Sequence, residues 1–386
     1  MNKPGKPEKK ASEHRGGGPY VSAEQRAASG RALRDKVPRA SQARWTEPRN
    51  RRDPLENLIE SNKGRIQELI PIRFGRMSAS PLAFYRGAAA LMAADLATTA
   101  VTGLRVQACG DAHLMNFGGF ATPERNVVFD VNDLDETLPA PFEWDLKRLA
   151  ASVVIAAEHL KISDSDAERI AGDIAREYRE RMAQYATMFA LDIWYDRIDL
   201  REFTDSAGNR KVVARARKRL TETIATEQRR TVAEHLHPRL VARLKEEPII
   251  KDDPPLIYHP TAEQAPAFEF GFDQAIALYR ESLPEHVKVL FERFHFVDLS
   301  MKVVGVGSVG TMCAVCLFLT GDKEPLFLQV KEARTSVFEP FAGKSSYTNQ
   351  GQRVVVGQRL MQAASDMFLG WTKGLNGRDF YIRQLA

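Results

Sequence analysis

Residues 301–333 read MKVVGVGSVGTMCAVCLFLTGDKEPLFLQVKEA, with glycines at 305, 307 and 310 in a GxGxxG spacing. That spacing has two usual meanings, and the segment after the glycines decides between them. A dinucleotide site needs a helix directly after the glycines, whose N-terminus meets the pyrophosphate. Here 313–319 is apolar and β-branched without helical period, and a turn at Thr320–Pro325 leads into another apolar run. The pattern predicts a glycine-rich hairpin laid over nucleotide phosphates, continued by a strand that carries Lys331 beneath it. Gly305, Gly307, Ser308 and Gly310 are the expected phosphate cradle, and Lys331 the expected partner of the α- and β-phosphates. A nicotinamide-dependent oxidoreductase on the same glycines is the competing reading, and it requires a helix after Thr311. No GxxxxGK[ST] loop occurs.

Two polar clusters lie upstream. Gly110-Asp111-Ala112-His113-Leu114-Met115-Asn116 comes after the strand-like LRVQACG. An aspartate and an asparagine five residues apart in a loop suit phosphoryl transfer, where a carboxylate orients the attacking hydroxyl and an amide oxygen holds Mg²⁺. Both residue types also cap ordinary turns. The second cluster, Asp130-Val131-Asn132-Asp133-Leu134-Asp135-Glu136, ends an apolar strand. Alternation sets Asp133 and Asp135 on one face and Asp130 on the other. Such hard oxygen ligands suit Mg²⁺, and a solvated acidic turn is the alternative.

The rest of the chain frames these motifs. With 386 residues, 44% of them hydrophobic and 27% charged, the composition is that of a globular protein of two or three packed units. Residues 1–53 hold 14 Lys/Arg against 6 Asp/Glu, so the body is slightly acidic although the chain is +5 overall. The tail, 1–30, is expected to be disordered and basic, able to reach nucleic acid or acidic lipid only weakly. An ordered lead-in is expected around Leu33–Arg52, a helix over Leu55–Leu69, and a helix start at Ser80-Pro81. Helix is also expected over Trp144–Leu160 and, in the main, on to Val297. That stretch includes a polar hairpin at Asp205–Arg210, a basic helix face over Arg215–Arg230 and a Pro-rich loop at Lys251–Pro260. Then come a long helix over Ser345–Gly370 and a closing strand, RDFYIRQL. Three cysteines are too few for a disulfide framework, and Cys313 and Cys316 read as core. With no apolar run long enough to span a bilayer and no secretory signal, the expected location is cytoplasmic.

GDAHLMNFG, FDVNDLDE, WDLKRLAAS, VVGVGSVGT, FLQVKEA and GQRLMQAASDMFLGW together resemble the bacterial family called domain of unknown function 2252, over about Ala32 to Leu385. That family is placed in the protein-kinase-like superfamily. GDAHLMN is also similar to the HGDxHxxN loop of aminoglycoside and choline kinases. The resemblance implies an α+β, protein-kinase-like two-lobe fold in circularly permuted order. A mostly helical catalytic lobe, 31–297, comes first. A β-rich nucleotide lobe, 298–386, comes last and stops at the hinge. It implies ATP and Mg²⁺ as cofactors and transfer to a hydroxyl of a small molecule or protein. It also implies Asp111 as catalytic base, His113 as a brace of the loop, and Asn116 with Asp130 or Asp133 on the metal. Asp145 of WDL resembles the aspartate that buttresses this loop. One departure stands out: no glutamate is well placed for the helix that should pair with Lys331, with Glu339 and Asp366 the nearest substitutes. That departure keeps a nucleotide-binding pseudokinase open, and AMP transfer on the same fold is a variant.

Overall fold

The structure, a computed structural model, describes residues 21–200, 240–244, 247–261, 271–374 and 377–385. It is a mixed fold of 44% helix and 20% strand, with every described strand pair antiparallel. The expected tail, the polar hairpin at 205–210 and the basic stretch at 215–230 fall partly or wholly outside the described residues.

Five helices open the described chain: α1 (Ala23–Lys36), α2 (Pro54–Glu60), α3 (Ile70–Met77), α4 (Pro81–Gly87) and α5 (Ala89–Leu96). The end of the expected disordered tail is corrected here: residues 23–30 lie in α1, because Ser22 and Gln25 form a reciprocal capping box. α1 buries no residue, so its cap and local propensity account for it. The helix expected over Leu55–Leu69 is broken. Asp53 caps α2, but the chain turns at Gly64 in a left-handed conformation and re-enters through a 3-10 turn. Ser80 caps α4 as Ser-Pro predicts.

Strands β1 (Arg105–Ala108), β2 (Phe117–Ala121), β3 (Val127–Val131) and β4 (Leu138–Pro141) come next. β1 pairs β4, and the β2–β3 hairpin lies between them in the chain, so the two polar clusters are the two connections between these strand pairs. The chain continues through α6 (Phe142–His159), α7 (Asp164–Tyr185), α8 (Ala190–Tyr195) and β5 (Ile198–Asp199). The region expected to stay mainly helical up to Val297 also contains β6 (Val241–Leu244), β7 (Glu247–Ile250) and β8 (Ile257–Tyr258). Helices α9 (Phe272–Ser282) and α10 (Glu285–Phe291) then lead into β9 (His295–Lys302), β10 (Cys313–Leu319) and β11 (Pro325–Ala333). The chain closes with α11 (Glu339–Ala342), α12 (Gln350–Met361), β12 (Gly370–Lys373) and β13 (Asp379–Gln384). The long helix expected over Ser345–Gly370 is therefore half that length. Asn349 caps its start, and Asp366 turns the chain by accepting from the Phe368 amide.

A six-stranded sheet of order β12-β13-β11-β10-β9-β8 is the largest layer. Both faces are covered, which is why β10 is buried at every position. Ala314, Cys316, Phe318, Leu328, Val330, Phe380 and Ile382 point to one face and pack with Tyr279 of α9, Leu283 just after it, and Val287 and Phe291 of α10. Ala333 and Tyr381 point to the other and pack with Val354 and Val355 of α12. The period of two therefore sends Lys331 to the α12 face. The sheet segment is also stitched to the N-terminal helices. Val306 of the glycine loop packs with Leu58, Met77 and Ala88, and Phe338 packs with Leu96 and Trp144.

Candidate functional site

β1 delivers the chain to Gly110, which adopts φ +87°; a Cβ there would stand 2.4 Å from the Glu136 carbonyl oxygen. Only glycine fits both the conformation and that approach. Asp145, in the first turn of α6, accepts hydrogen bonds from the Cys109 and Gly110 amides at 2.6 and 3.0 Å. Burial pushes Asp145 up to about 6, against the pull of those two N–H groups. The loop is thus clamped from below, and Asp111 emerges beyond it.

Asp111 is held by Arg148, one turn further along α6. The Arg148 Nε donates to Oδ1 at 2.7 Å, and Nη2 donates to the same oxygen. Nη2 also donates to the Tyr85 carbonyl. His113 is buried, and burial lowers its pKa. Its Nε2 stands 3.9 Å from Asp111 Oδ2, and its Nδ1 has no hydrogen-bond partner among the described residues. The bond that braces this loop comes instead from Ser152, whose Oγ accepts from the Leu114 amide at 2.9 Å.

Asn116 ties the two clusters together. Its Oδ1 accepts from the Asp133 amide at 2.8 Å, and its Nδ2 donates to the carbonyls of Asp133 (2.8 Å) and Asp111 (3.1 Å). Asp133 then meets the distant strand. Lys331 Nζ stands 3.3 Å from Asp133 Oδ1 and 2.7 Å from Asp135 Oδ2. Tyr381 donates to Asp135 Oδ1 at 2.5 Å. Desolvation works against ionisation of Asp133, but Lys331 and Arg383 outweigh it and hold the carboxyl well below its ordinary range. Burial and the neighbouring Asp133 charge raise Asp135. Burial disfavours the Lys331 ammonium too, and the two carboxylates more than offset it, so Lys331 is a firm cation.

Asp135 fills the place for which Glu339 and Asp366 were the expected substitutes. Glu339 contacts Gln350, and Asp366 accepts from the Phe368 and Gln384 amides. α12 contributes a base where an acid was sought: Arg353 is buried and donates to the carbonyls of Thr137 (2.5 Å), Asp135 (2.8 Å) and Arg334 (2.8 Å). Asp130 turns elsewhere, accepting from the Ala363 amide at 2.9 Å and from its neighbour Val131. The signal for Asp135 was present in the alternation of the acidic cluster. No local signal announced Arg353, which sits in an apolar-looking helix.

The glycines form the ten-residue connection between β9 and β10, so a strand stands where the dinucleotide motif needs a helix; the nicotinamide reading is overturned. Gly305 and Gly310 take φ of +65° and +87°. The loop carbonyls are occupied: Arg76 donates to Gly305, Arg65 to Val309 and the Ile66 amide to Gly310, at 2.6–2.8 Å. Among the described residues, none of the amides of 305–310 makes a hydrogen bond. Free backbone N–H groups of this kind are what an anion-binding turn needs. Lys331 pairs across the ladder with Cys313, the first strand residue after the loop.

Lys331, Asp133, Asn116 and Asp111 thus form one connected chain of contacts. Among the described residues no three His, Cys, Asp or Glu side chains converge as a metal cage. Mg²⁺ does not demand one, because it keeps waters and shares phosphate oxygens. The Asp133 side chain, 47% exposed, is a hard donor of the right kind, while Asn116 Oδ1 is a second such oxygen that already accepts from the Asp133 amide. No helix among the described residues is long and apolar enough to cross a membrane. A sequence model of the family described as "Uncharacterized protein conserved in bacteria (DUF2252)" matches residues 65–386. No curated protein and no solved structure matches the chain.

Proposed function

The chain belongs to this bacterial DUF2252 family, and we propose that it is an ATP- and Mg²⁺-dependent phosphotransferase with a circularly permuted, protein-kinase-like two-lobe fold. The observation that carries the reading is the ion pair of Lys331 with Asp133 and Asp135. It sets a phosphate-binding cation beside a metal-binding carboxylate, with the catalytic loop one asparagine away. The permuted order needs only that the two lobes be joined at surface termini.

In this reading the free amides of 305–310 and Lys331 hold the nucleotide phosphates. Asp133 and Asn116 would hold Mg²⁺, which supplies charge neutralisation on the transferred group. Asp133 is preferred to Asp130 because it lies beside Lys331, whereas Asp130 turns to the Ala363 amide. Asp111 orients the acceptor hydroxyl and takes its proton, while Asp145 and Ser152 fix the loop that carries it. The acceptor is a hydroxyl of a small molecule or a protein.

Calorimetric titration of the full chain with ATP and MgCl₂ tests the reading. Magnesium-dependent binding that Lys331→Met abolishes is expected; the absence of binding in wild type would sink it. The grip of Arg148 on Asp111 favours a second reading, a nucleotide-binding module without transfer, because Oδ1 already accepts two guanidinium hydrogen bonds and leaves Oδ2 alone for an acceptor hydroxyl. Magnesium-independent binding with no turnover selects that reading. Mass spectrometry of a product separates AMP transfer from phosphate transfer.

A further inference from the structure

Among the described residues, Nη1 of Arg148, Nδ1 of His113 and Nε of Arg86 are buried without a hydrogen-bond partner. Such orphans are costly in a folded chain, and each invites an explanation. Arg148 is 1% exposed and His113 6% exposed, so bulk water does not answer them. Nη1 belongs to the guanidinium whose other nitrogens already grip Asp111 and Tyr85. Arg86 adds to the positive field at His113, and its carbonyl lies 3.1 Å from where a Cβ on Gly307 would stand. Arg148 Nη1 is thus a spare donor beside Asp111, and Arg86 follows Tyr85, whose carbonyl Arg148 also grips. The Arg86 side chain makes no ion pair among the described residues. The guanidinium groups of Arg148 and Arg86 and the carboxylates of Asp111 and Asp133 all act on His113, so it is the spare N–H capacity of the two arginines that marks the spot.

We propose that this cluster is an anion subsite for the acceptor, so that the substrate carries a phosphate or carboxylate group beside the hydroxyl that Asp111 serves. The part about the hydroxyl rests on the phosphotransferase reading; the anion site itself does not. Planar guanidinium groups suit either oxyanion. The nucleotide phosphates have their own donors in the free loop amides and Lys331. Arg86 and Arg148 lie instead on the Asp111 side, where an acceptor must approach.

Inorganic phosphate is the probe. It is titrated calorimetrically into the full chain without nucleotide, and again with Mg²⁺ and a non-hydrolysable ATP analogue at saturation. Phosphate is expected to bind in both cases, with Arg86→Gln weakening it by about tenfold or more in both and leaving the thermal unfolding temperature in place. Arg86→Lys, which keeps the charge and loses the planar fork, is expected to bind with intermediate affinity and serves if the glutamine variant folds poorly. Absence of phosphate binding, or equal affinity in wild type and variants, overturns the subsite. Competitive displacement of phosphate by the analogue also overturns it, because the donors would then belong to the transferred phosphate of the nucleotide. If the analogue itself does not bind, the nucleotide reading fails, and the nucleotide-free titration still decides the subsite.

Discussion

Lys331 and Asp133 are 198 residues apart in the chain and 3.3 Å apart in space, and Asp135 closes on the same ammonium at 2.7 Å. The Lys331 side chain is only 4% exposed. Removing it leaves two carboxylates facing each other without their cation. Lys331→Met is therefore expected to cost about 3–5 kcal/mol in unfolding free energy, along with nucleotide binding. Denaturant unfolding at pH 7.5 measures the first and calorimetry the second. A variant as stable as wild type would show that the pair is dispensable.

Asp111 is tested by Asp111→Asn. The amide keeps an oxygen for Arg148 but cannot take a proton. Once a substrate is in hand, turnover is expected to fall by about 10²–10⁴-fold with little change in nucleotide affinity. Unchanged turnover removes Asp111 from the chemistry.

Gly110 offers a backbone test that leaves every functional side chain in place. Gly110→Ala would force an L residue into φ +87° and a Cβ to 2.4 Å from the Glu136 carbonyl. A loss of at least about 1–3 kcal/mol is expected, with displacement of the loop that carries Asp111. Equal melting temperatures for variant and wild type would contradict the geometry.

Arg353 makes a test of α12. Its guanidinium donates to three carbonyls that set the path of the acidic segment. Arg353→Met keeps the bulk and strands those carbonyls, each a buried acceptor worth about 1–3 kcal/mol when left unpaired. Loss of stability accompanied by weaker nucleotide binding is expected, since the displaced segment includes Asp133 and Asp135.

Acidity supplies a further check. Burial pushes Glu136 up to about 7, with Arg353 and the Val337 amide opposing, from an ordinary value of 4.5. The folded chain therefore binds a proton there more tightly than the unfolded chain does. The stabilising contribution is complete below 4.5 and is lost as pH rises through about 7. Glu136→Gln is expected to flatten the pH dependence of unfolding free energy across that window. Denaturant midpoints measured at half-unit steps would show an unaltered slope if the carboxyl were solvated.

The two polar clusters were readable because strand, loop and residue type coincide over a few positions. Ser80-Pro81 showed its helix start, and the alternation of Asp133 with Asp135 already put both on one side. Other features had no local signature. Nothing near Leu55 showed that Gly64 would break the helix. Nothing near Val354 showed that Arg353 would be buried against carbonyls more than 200 residues away in sequence. The brace expected of His113 falls to Ser152, whose hydroxyl looks in sequence like any other helical serine.

By itself, the amino-acid sequence determined which segments are strand or helix around the site and which carry acids, amides or glycines, because those properties depend on residues within a few positions of one another. It also favoured a strand after the glycine motif, since an apolar β-branched run is a poor helix start, and the structure has that strand. Only the tertiary structure decided that Asp135, not an acid on the late helix, answers Lys331. Only it showed that Asp111 is held by Arg148 and that Asp130 turns away from Lys331. Those choices depend on through-space distance and on burial, and a buried charge takes whichever partner the packing brings within reach.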